Sequence, residues 1–337
     1  MKRTFHILLL LLSLGFLFNA CSTDIDLYAD YKEITVVYGL LDSAKDTNYV
    51  KINKAFLGPG NAFEIAMIAD SCNYPGKLDA KLIEYRANAG SNNYQQTRVL
   101  PLDTITIHNK ETGVFYAPDQ LVYYTPQKVR SNTSDFSYRY ELQIDRGDTL
   151  LTSSTDMVGG DRFAITTAMV SFSAVNGTPI KWMPCPNAAV YEVLLKFRFT
   201  EVSPSLDSVD RCMTLSLGTL PLSSLEMDHG QYAIAYKSSM FYTSLASFLG
   251  ADTLKNVNRV VKNQAMGISI SAGGDELYNF ITVNGPSSSI VQTIPEYTNI
   301  KGGYGVFSSR AQIERWVNLQ SLPDLIRKHP NWNFRQG

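Results

Sequence analysis

The apolar and polar positions of the chain alternate in short runs, and the clearest run is residues 191–199. There Tyr191, Val193, Leu195, Phe197 and Phe199 are apolar, while Glu192, Lys196 and Arg198 between them are charged. A period of two places one face in a core and the other in solvent, as in a half-buried strand. Shorter β-branched or alternating stretches predict strands at 33–39, 49–53, 82–85, 95–100, 103–108, 113–116 and 138–144. After the last of these, Arg146-Gly147-Asp148 turns the chain into 149–155, a hairpin with glycine at its tip. Further strands are expected at 163–173, 190–200, 212–217, 266–271 and 277–283. Helical patterning is confined to 62–70 behind an Asn61 cap, 239–249 and 309–319. Many short strands between turn residues predict a mostly β chain of sandwiches, immunoglobulin-like or related, rather than a doubly wound sheet. Gly159-Gly160-Asp161 is the best break. It divides the chain into sandwich-like domains at 28–157 and 158–310, with a short helical tail at 311–337.

Composition agrees. The chain has 337 residues, about two domains' worth, and is 11% aromatic and only 18% charged. A net charge of −1 argues against a nucleic-acid partner, and the aromatic content argues against bulk disorder.

The first residues bear on location. Lys2 and Arg3 precede an apolar run at 7–18, followed by Asn19-Ala20-Cys21. A basic start, about a dozen apolar residues and a small residue before the cut describe a secretory signal over 1–20, too short to span a bilayer. Ala20-Cys21 resembles a bacterial lipobox, with Phe18 where leucine is usual. That resemblance implies cleavage before Cys21 and acylation of its thiol, with chains of the palmitate kind, at the head of a tether over 21–27. Asp24 and Asp26 in that tether resemble the surface-export signal of Bacteroidota lipoproteins. With Lys2 and Arg3 gone, 28 basic residues face 31 acidic ones, a mature charge of −3. Of the remaining cysteines, Cys72, Cys185 and Cys212, the last two share a domain and are candidates to pair in an oxidising compartment.

Signs of catalysis are few. His108, His229 and His329 are scattered, and no H-E-x-x-H, G-x-S-x-G or C-x-x-C motif occurs. Asp207-Ser208-Val209-Asp210 lacks the oxygen ligands of a calcium loop. Gly273-Gly274-Asp275 and Gly302-Gly303-Tyr304-Gly305 do not open helices within a βαβ unit, so no phosphate cradle is expected. No enzyme, metal or cofactor is expected. Arg146-Gly147-Asp148 matches the integrin tripeptide, but a hairpin tip explains it by turn chemistry.

Five Asp-Ser/Thr-apolar triplets, centred on Ser43, Thr104, Thr149, Ser208 and Thr253, resemble the O-glycosylation motif of exported Bacteroidota proteins. Turns entering strands account for the same pattern. Tyr123, Tyr124, Trp182, Tyr232 and Tyr236 are candidates for a sugar-binding face, against core packing. Near the C-terminus, the Asn-Ile-x-Gly-Gly-x-Gly-x-Phe run carries Asn299, Gly302, Gly303, Gly305 and Phe307. It resembles the closing motif of a large Bacteroidota outer-membrane lipoprotein family of unknown function. Members of that family also carry a lipobox and a first strand like Ile34 to Gly39. The segment 56–75 is longer than is typical of it. The resemblance implies a β-rich surface lipoprotein encoded near TonB-dependent outer-membrane transporters, and no catalytic residues. The expected function is therefore a lipid-anchored binding or accessory module of such an uptake system, contacting a transporter and a glycan or peptide ligand. A structural or adhesive surface protein is the alternative. A hydrolase, which would need a cleft gathering histidines or paired carboxylates, is third.

Overall fold

The computed structural model describes residues 32–57, 61–108, 110–117, 119–205, 207–250, 257–285 and 296–337. The signal segment 1–20, Cys21 and its tether, and Thr253 lie outside the described residues. The first half comprises β1 (Lys32–Asp42), β2 (Tyr49–Leu57), α1 (Ala62–Ala66), α2 (Ala69–Cys72), β3 (Asp79–Asn88) and β4 (Gln95–Pro101). It continues through β5 (Asp103–Ile107), β6 (Gln120–Tyr124), β7 (Phe136–Asp145) and β8 (Leu150–Asp156). The second half begins with β9 (Met169–Val170), β10 (Ile180–Trp182), β11 (Val190–Val202), β12 (Ser208–Pro221), β13 (Met227–Asp228) and β14 (Gln231–Ile234). There follow α3 (Ser238–Leu249), β15 (Asn258–Val261), β16 (Met266–Gly273), α4 (Asp275–Asn284), β17 (Tyr304–Leu319), α5 (Asp324–Arg327) and β18 (Phe334–Gln336). The chain is mostly β. Among the described residues no helix is long and apolar enough to cross a membrane.

An 11-stranded sheet runs β18-β15-β11-β16-β17-β1-β2-β6-β5, with β12 and β9 attached at β11 and β17. The sheet β4-β3-β7-β8 shares one hydrophobic cluster with β1 and β2: Leu82, Tyr140, Leu142 and Leu151 belong with Val37, Leu41, Val50 and Ile52. In the second half, the inner side chains of β11 and β16 share a cluster with the small sheet β10-β14-β13 and with Phe241 and Leu245 of α3. Both halves are thus layered, as period-two strands with one apolar face require. The change of cluster falls between Met157 and Val158, both 0% exposed.

One strand serves both clusters. Residues 304–310 of β17 pair in parallel with β1, from Val36↔Tyr304 to Asp42↔Arg310. Residues 310–317 pair antiparallel with β16, from Gly273↔Arg310 to Met266↔Val317. Phe307 lies in the first cluster and Val317 and Leu319 in the second.

Several local expectations held. Asn61 caps α1, its side chain accepting from the Phe63 amide. The 145–150 hairpin turns at Gly147 with φ 90°. β11 buries Tyr191, Val193, Leu195, Phe197 and Phe199. Others are corrected. Residues 309–319, expected as a helix, continue β17 and so take the first third of the tail expected as helical over 311–337; the rest of that tail holds α5 and β18. Ala, Gln, Glu and Arg favour a helix locally, but strand partners capture the segment and its side chains alternate, with Val317 and Leu319 buried. Residues 277–283, expected as a strand, form α4. Its Leu277, Phe280 and Ile281, at helical spacing, line one groove with Tyr38 and Val306. The strand expected at 163–173 shrinks to β9 plus isolated bridges, and 113–116 forms no strand.

Candidate functional site

Strand β8 is the edge of the four-stranded sheet, and its alternation turns Leu151, Ser153 and Thr155 inward. At its free edge Lys301 N–H donates to Thr152 O at 2.8 Å, and Ser309 Oγ donates to Asp156 O at 2.7 Å. Ser308 of β17 and Glu276, in the first turn of α4, complete a wall around the same spot. Thr155 Oγ1 and Ser308 Oγ each donate to Glu276 Oε2 at 3.0 Å. Gly274, between β16 and α4, permits the approach; a Cβ there would lie 3.1 Å from Ser308 Oγ and 3.3 Å from Glu276 Oε2. Gly273-Gly274-Asp275 does therefore open a helix after a strand, but β16 and β17 are antiparallel, so no βαβ unit forms.

These elements enclose a polar cleft of about 490 Å³ lined by Glu141, Ser153, Glu276, Asn299 and Lys301 among others. Burial pushes the Glu276 carboxyl above the usual range. Its own backbone N–H, Ser308 and Thr155 work against that shift, and neighbouring Asp275 adds to it. Position in the first helical turn favours an anion, yet desolvation outweighs it. Glu141 accepts from neutral donors, Gln143 Nε2 at 2.8 Å and Tyr85 Oη at 3.4 Å. Ser153 is 4% exposed, and its Oγ is buried without a hydrogen-bond partner among the described residues. An unpaired buried hydroxyl costs about 1–3 kcal/mol. The cleft thus joins a carboxyl whose pKa burial raises to a second acid that accepts from neutral donors. That set suits hydroxyl-bearing ligands or proton transfer. Neither Glu141 nor Glu276 belongs to a sequence motif; Glu141 lines the cleft from the outward phase of β7, opposite Ser154, and Glu276 from the start of α4.

The C-terminal motif forms one wall. Asn299 clamps a corner, its Nδ2 donating to Phe307 O at 2.7 Å and its Oδ1 accepting from Phe307 N at 2.9 Å. Gly305 has φ 110°, and a Cβ there would collide with the Val37 carbonyl. Gly302 is also left-handed at φ 83°, Gly303 lies against Thr35 O, and Phe307 is fully buried.

The other candidates lie elsewhere and apart. Ser43 follows β1 and Thr104 lies in β5, both half-buried, whereas Thr149 and Ser208 are exposed at the starts of β8 and β12. The turn chemistry is visible: Asp42 Oδ1 accepts from Ala44 N at 3.0 Å and Asp103 Oδ1 from Thr104 N at 2.9 Å. In the Arg146-Gly147-Asp148 tip the two charges pair with each other, Nη2 to Oδ2 at 2.6 Å.

Of the two readings of the candidate aromatics, core packing holds for four. Tyr123, Trp182, Tyr232 and Tyr236 are buried, and Trp182 packs against Tyr191 and Tyr232 with ring centroids 5.6 and 6.1 Å apart. Only Tyr124 reaches the surface, beside Tyr49. Cys185 and Cys212, whose pairing the sequence leaves open, are both free. Cys185 is buried behind β10, its thiol pushed up to about 12 by burial, while Cys212 points outward from β12. His108, His229 and His329 stay apart, the last stacked on Trp332. Among the described residues no group of three or more His, Cys, Asp or Glu side chains could hold a metal ion. No family model matches the chain, and no curated protein matches it.

Proposed function

We propose that the chain is a lipoprotein anchored through Cys21 in the outer membrane and exposed at the surface. There it serves as a binding or accessory module for a TonB-dependent nutrient-uptake system. Its contact site for a hydroxyl-rich glycan or a peptide is the cleft between β8, α4 and the 298–301 segment. The observation that carries the binding part is one polar cleft lined by Glu276, Glu141, Asn299 and Lys301, a concave set of hydrogen-bonding groups suited to ligand hydroxyls or amides. The anchor rests on Lys2, Arg3, the apolar run at 7–18 and Ala20-Cys21. Acyl chains hold a domain at a membrane without a spanning helix. The test is affinity purification from solubilised outer membranes. Reproducible recovery of a transporter is expected with the native chain and not with Cys21→Ala, which should partition to the soluble fraction. An unanchored variant that stays with the membrane overturns the anchor, and an eluate free of transporter overturns the accessory role.

One observation favours a second reading, a hydrolase: Glu141 and Glu276 line the same cleft, and burial keeps one of them inclined towards its protonated form. Under that reading Glu276 is the general acid. Hydrolysis of aryl glycosides by the native chain, lost in Glu276→Gln, would carry it, and absence of turnover over a broad panel would end it.

A further inference from the structure

A second cleft opens on the outer face of the large sheet, remote in kind from the first. Arg198 stands on the outward phase of β11, opposite Cys212 of β12. Here β11 changes partner, from β16 as far as Phe197↔Met266 to β15 from Thr200↔Val260. The chain bridging those partners turns at Gln264, which takes φ 55°, a left-handed conformation that non-glycine residues seldom adopt. The turn is put to use: Gln264 O accepts from Arg198 Nε at 3.1 Å, and Gln264 N–H donates to Asn318 Oδ1 at 2.8 Å. Beneath lies Trp316 of β17, flat across Gly267, where a Cβ would sit 2.9 Å from the indole ring. The Arg198 guanidinium carbon is 4.2 Å from the ring centroid. A carbonyl and an indole therefore fix the guanidinium plane. Among the described residues no carboxylate pairs with it, and its two Nη groups have no hydrogen-bond partner. By contrast, neighbouring Lys196 pairs with Glu314 and Arg259 with Glu201.

The cleft around Arg198 holds about 440 Å³, and Lys262, Asn263, Asp210, Val260 and Trp316 line it. Lys262 has no ion pair among the described residues. Asp210, which also lines the cleft, uses Oδ1 to accept from Thr200 Oγ1 at 2.7 Å, and its Oδ2 has no hydrogen-bond partner among the described residues. Two unneutralised cations in a chain of net charge −1 mark an anion site. The volume exceeds what a bare oxyanion fills, and the Asp210 carboxylate would repel a dianion. A ligand with one carboxylate and several hydroxyls meets both conditions.

We infer that this cleft binds a small hydroxylated carboxylate of the sugar-acid class. Arg198 takes the carboxylate through its paired Nη donors, with Lys262 adding charge. Asp210 Oδ2 and the Asn263 amide take hydroxyls, while Val260 and the rim of Trp316 form the apolar wall. The inference stands on this cleft alone and does not depend on where the chain is anchored.

Calorimetric titration of the full chain with glucuronate, glucose and sodium sulfate at low ionic strength tests it. Glucuronate should bind saturably, with glucose and sulfate each weaker by about tenfold or more, the worth of one charge-assisted hydrogen-bond pair. Arg198→Gln should weaken glucuronate by about tenfold or more, and Arg198→Lys should restore only part, because an ammonium lacks the planar fork. Arg198 is exposed, so unchanged circular dichroism is expected for both variants. Absence of saturable glucuronate binding, equal affinity in Arg198→Gln, or sulfate binding as tightly as glucuronate would each overturn the inference. Recovery of the anchored chain with a transporter is a separate readout, so either idea can fail alone.

Discussion

Two glutamates, one buried and one half-buried, in two neighbouring regions have opposite chemistry. Glu84, on β3 in the four-stranded sheet, is 0% exposed. It sits at a bulge opposite β4, where the register shifts between Glu84 and Tyr85. Burial opposes its charge, but Arg98, Thr97 and Tyr140 donate to it and hold the carboxyl below the usual range. Arg98 grips both its oxygens, Thr97 Oγ1 lies at 2.7 Å, Tyr140 Oη at 2.8 Å and Arg130 Nη1 at 3.3 Å. Glu276 is less deeply buried and has hydroxyl donors too, yet its carboxyl is pushed up. The difference is the guanidinium. Hydroxyls satisfy lone pairs without supplying charge, so only Glu84 recovers the desolvation cost of its anion. Glu84 is for that reason a fastening of the first half, whereas Glu276 is poised to exchange a partner or a proton.

The largest expected effect is at the fastening. Glu84→Ala leaves Arg98 facing an emptied, buried position and should destabilise the chain by about 3–5 kcal/mol in urea unfolding. A loss under about 1 kcal/mol would mean that solvent already compensates Arg98, and the contrast would collapse.

Next, the two carboxyls should tilt stability against pH in opposite directions. Glu84 has a lowered pKa in the fold, so its contribution is complete above the ordinary glutamate pKa of about 4.3 and is lost as pH falls through its folded value. Glu276 has a raised one, so its contribution is complete below about 4.3 and is lost as pH rises through its folded value. Glu276→Gln keeps an oxygen acceptor for Thr155 and Ser308 and removes that second loss. Neutral-pH stability should then rise by something on the order of 1 kcal/mol, and the decline between mildly acidic and neutral pH should flatten. Melting temperatures of both proteins from pH 4 to 8 check the sign. A steeper decline in the variant would show Glu276 to be a stabilised anion.

The smallest effect sharpens the role of the hydroxyls. Ser308→Ala removes one of the two donors to Glu276 Oε2 and should cost about 1 kcal/mol while moving the Glu276 titration, followed by carboxyl ¹³C shifts, further upward. No movement would assign the shift to burial alone.

Much of the fold was legible from local pattern. The odd-numbered apolar positions of 191–199, the Gly147 hairpin and the Asn61 cap rest on interactions within a few residues, and each is where the sequence puts it. The glycine-rich corner at 302–305 was legible as backbone geometry, although that it walls a cleft was not. Residues 309–319 show where local reading fails. Ala311, Gln312, Glu314 and Arg315 suit a helix, but β16 pairs with them along the strand. The reverse holds for 277–283, whose β-branched and aromatic residues suit a strand and lie in α4. The candidate site was nearly illegible. Glu141, Ser153 and Glu276 are ordinary surface-type residues in sequence, and they acquire meaning through burial and through whatever charge stands beside them. Trp316, sitting in the segment expected as helix, could not be paired with Arg198 until β17 proved to be a strand.

The sequence by itself determined the β character, the turns, the glycines that only glycine can fill and the lipobox-like start, because each depends on residues adjacent in the chain. Tertiary structure alone decided which glutamate keeps a guanidinium, which arginine is left without an acid and which aromatics are consumed by the core. Those outcomes depend on which strands meet and in which register: Glu84 meets Arg98 across the β3–β4 pair, and Arg198 of β11 meets Trp316 of β17, more than a hundred residues on. Desolvation and charge are properties of that meeting, not of the residues themselves.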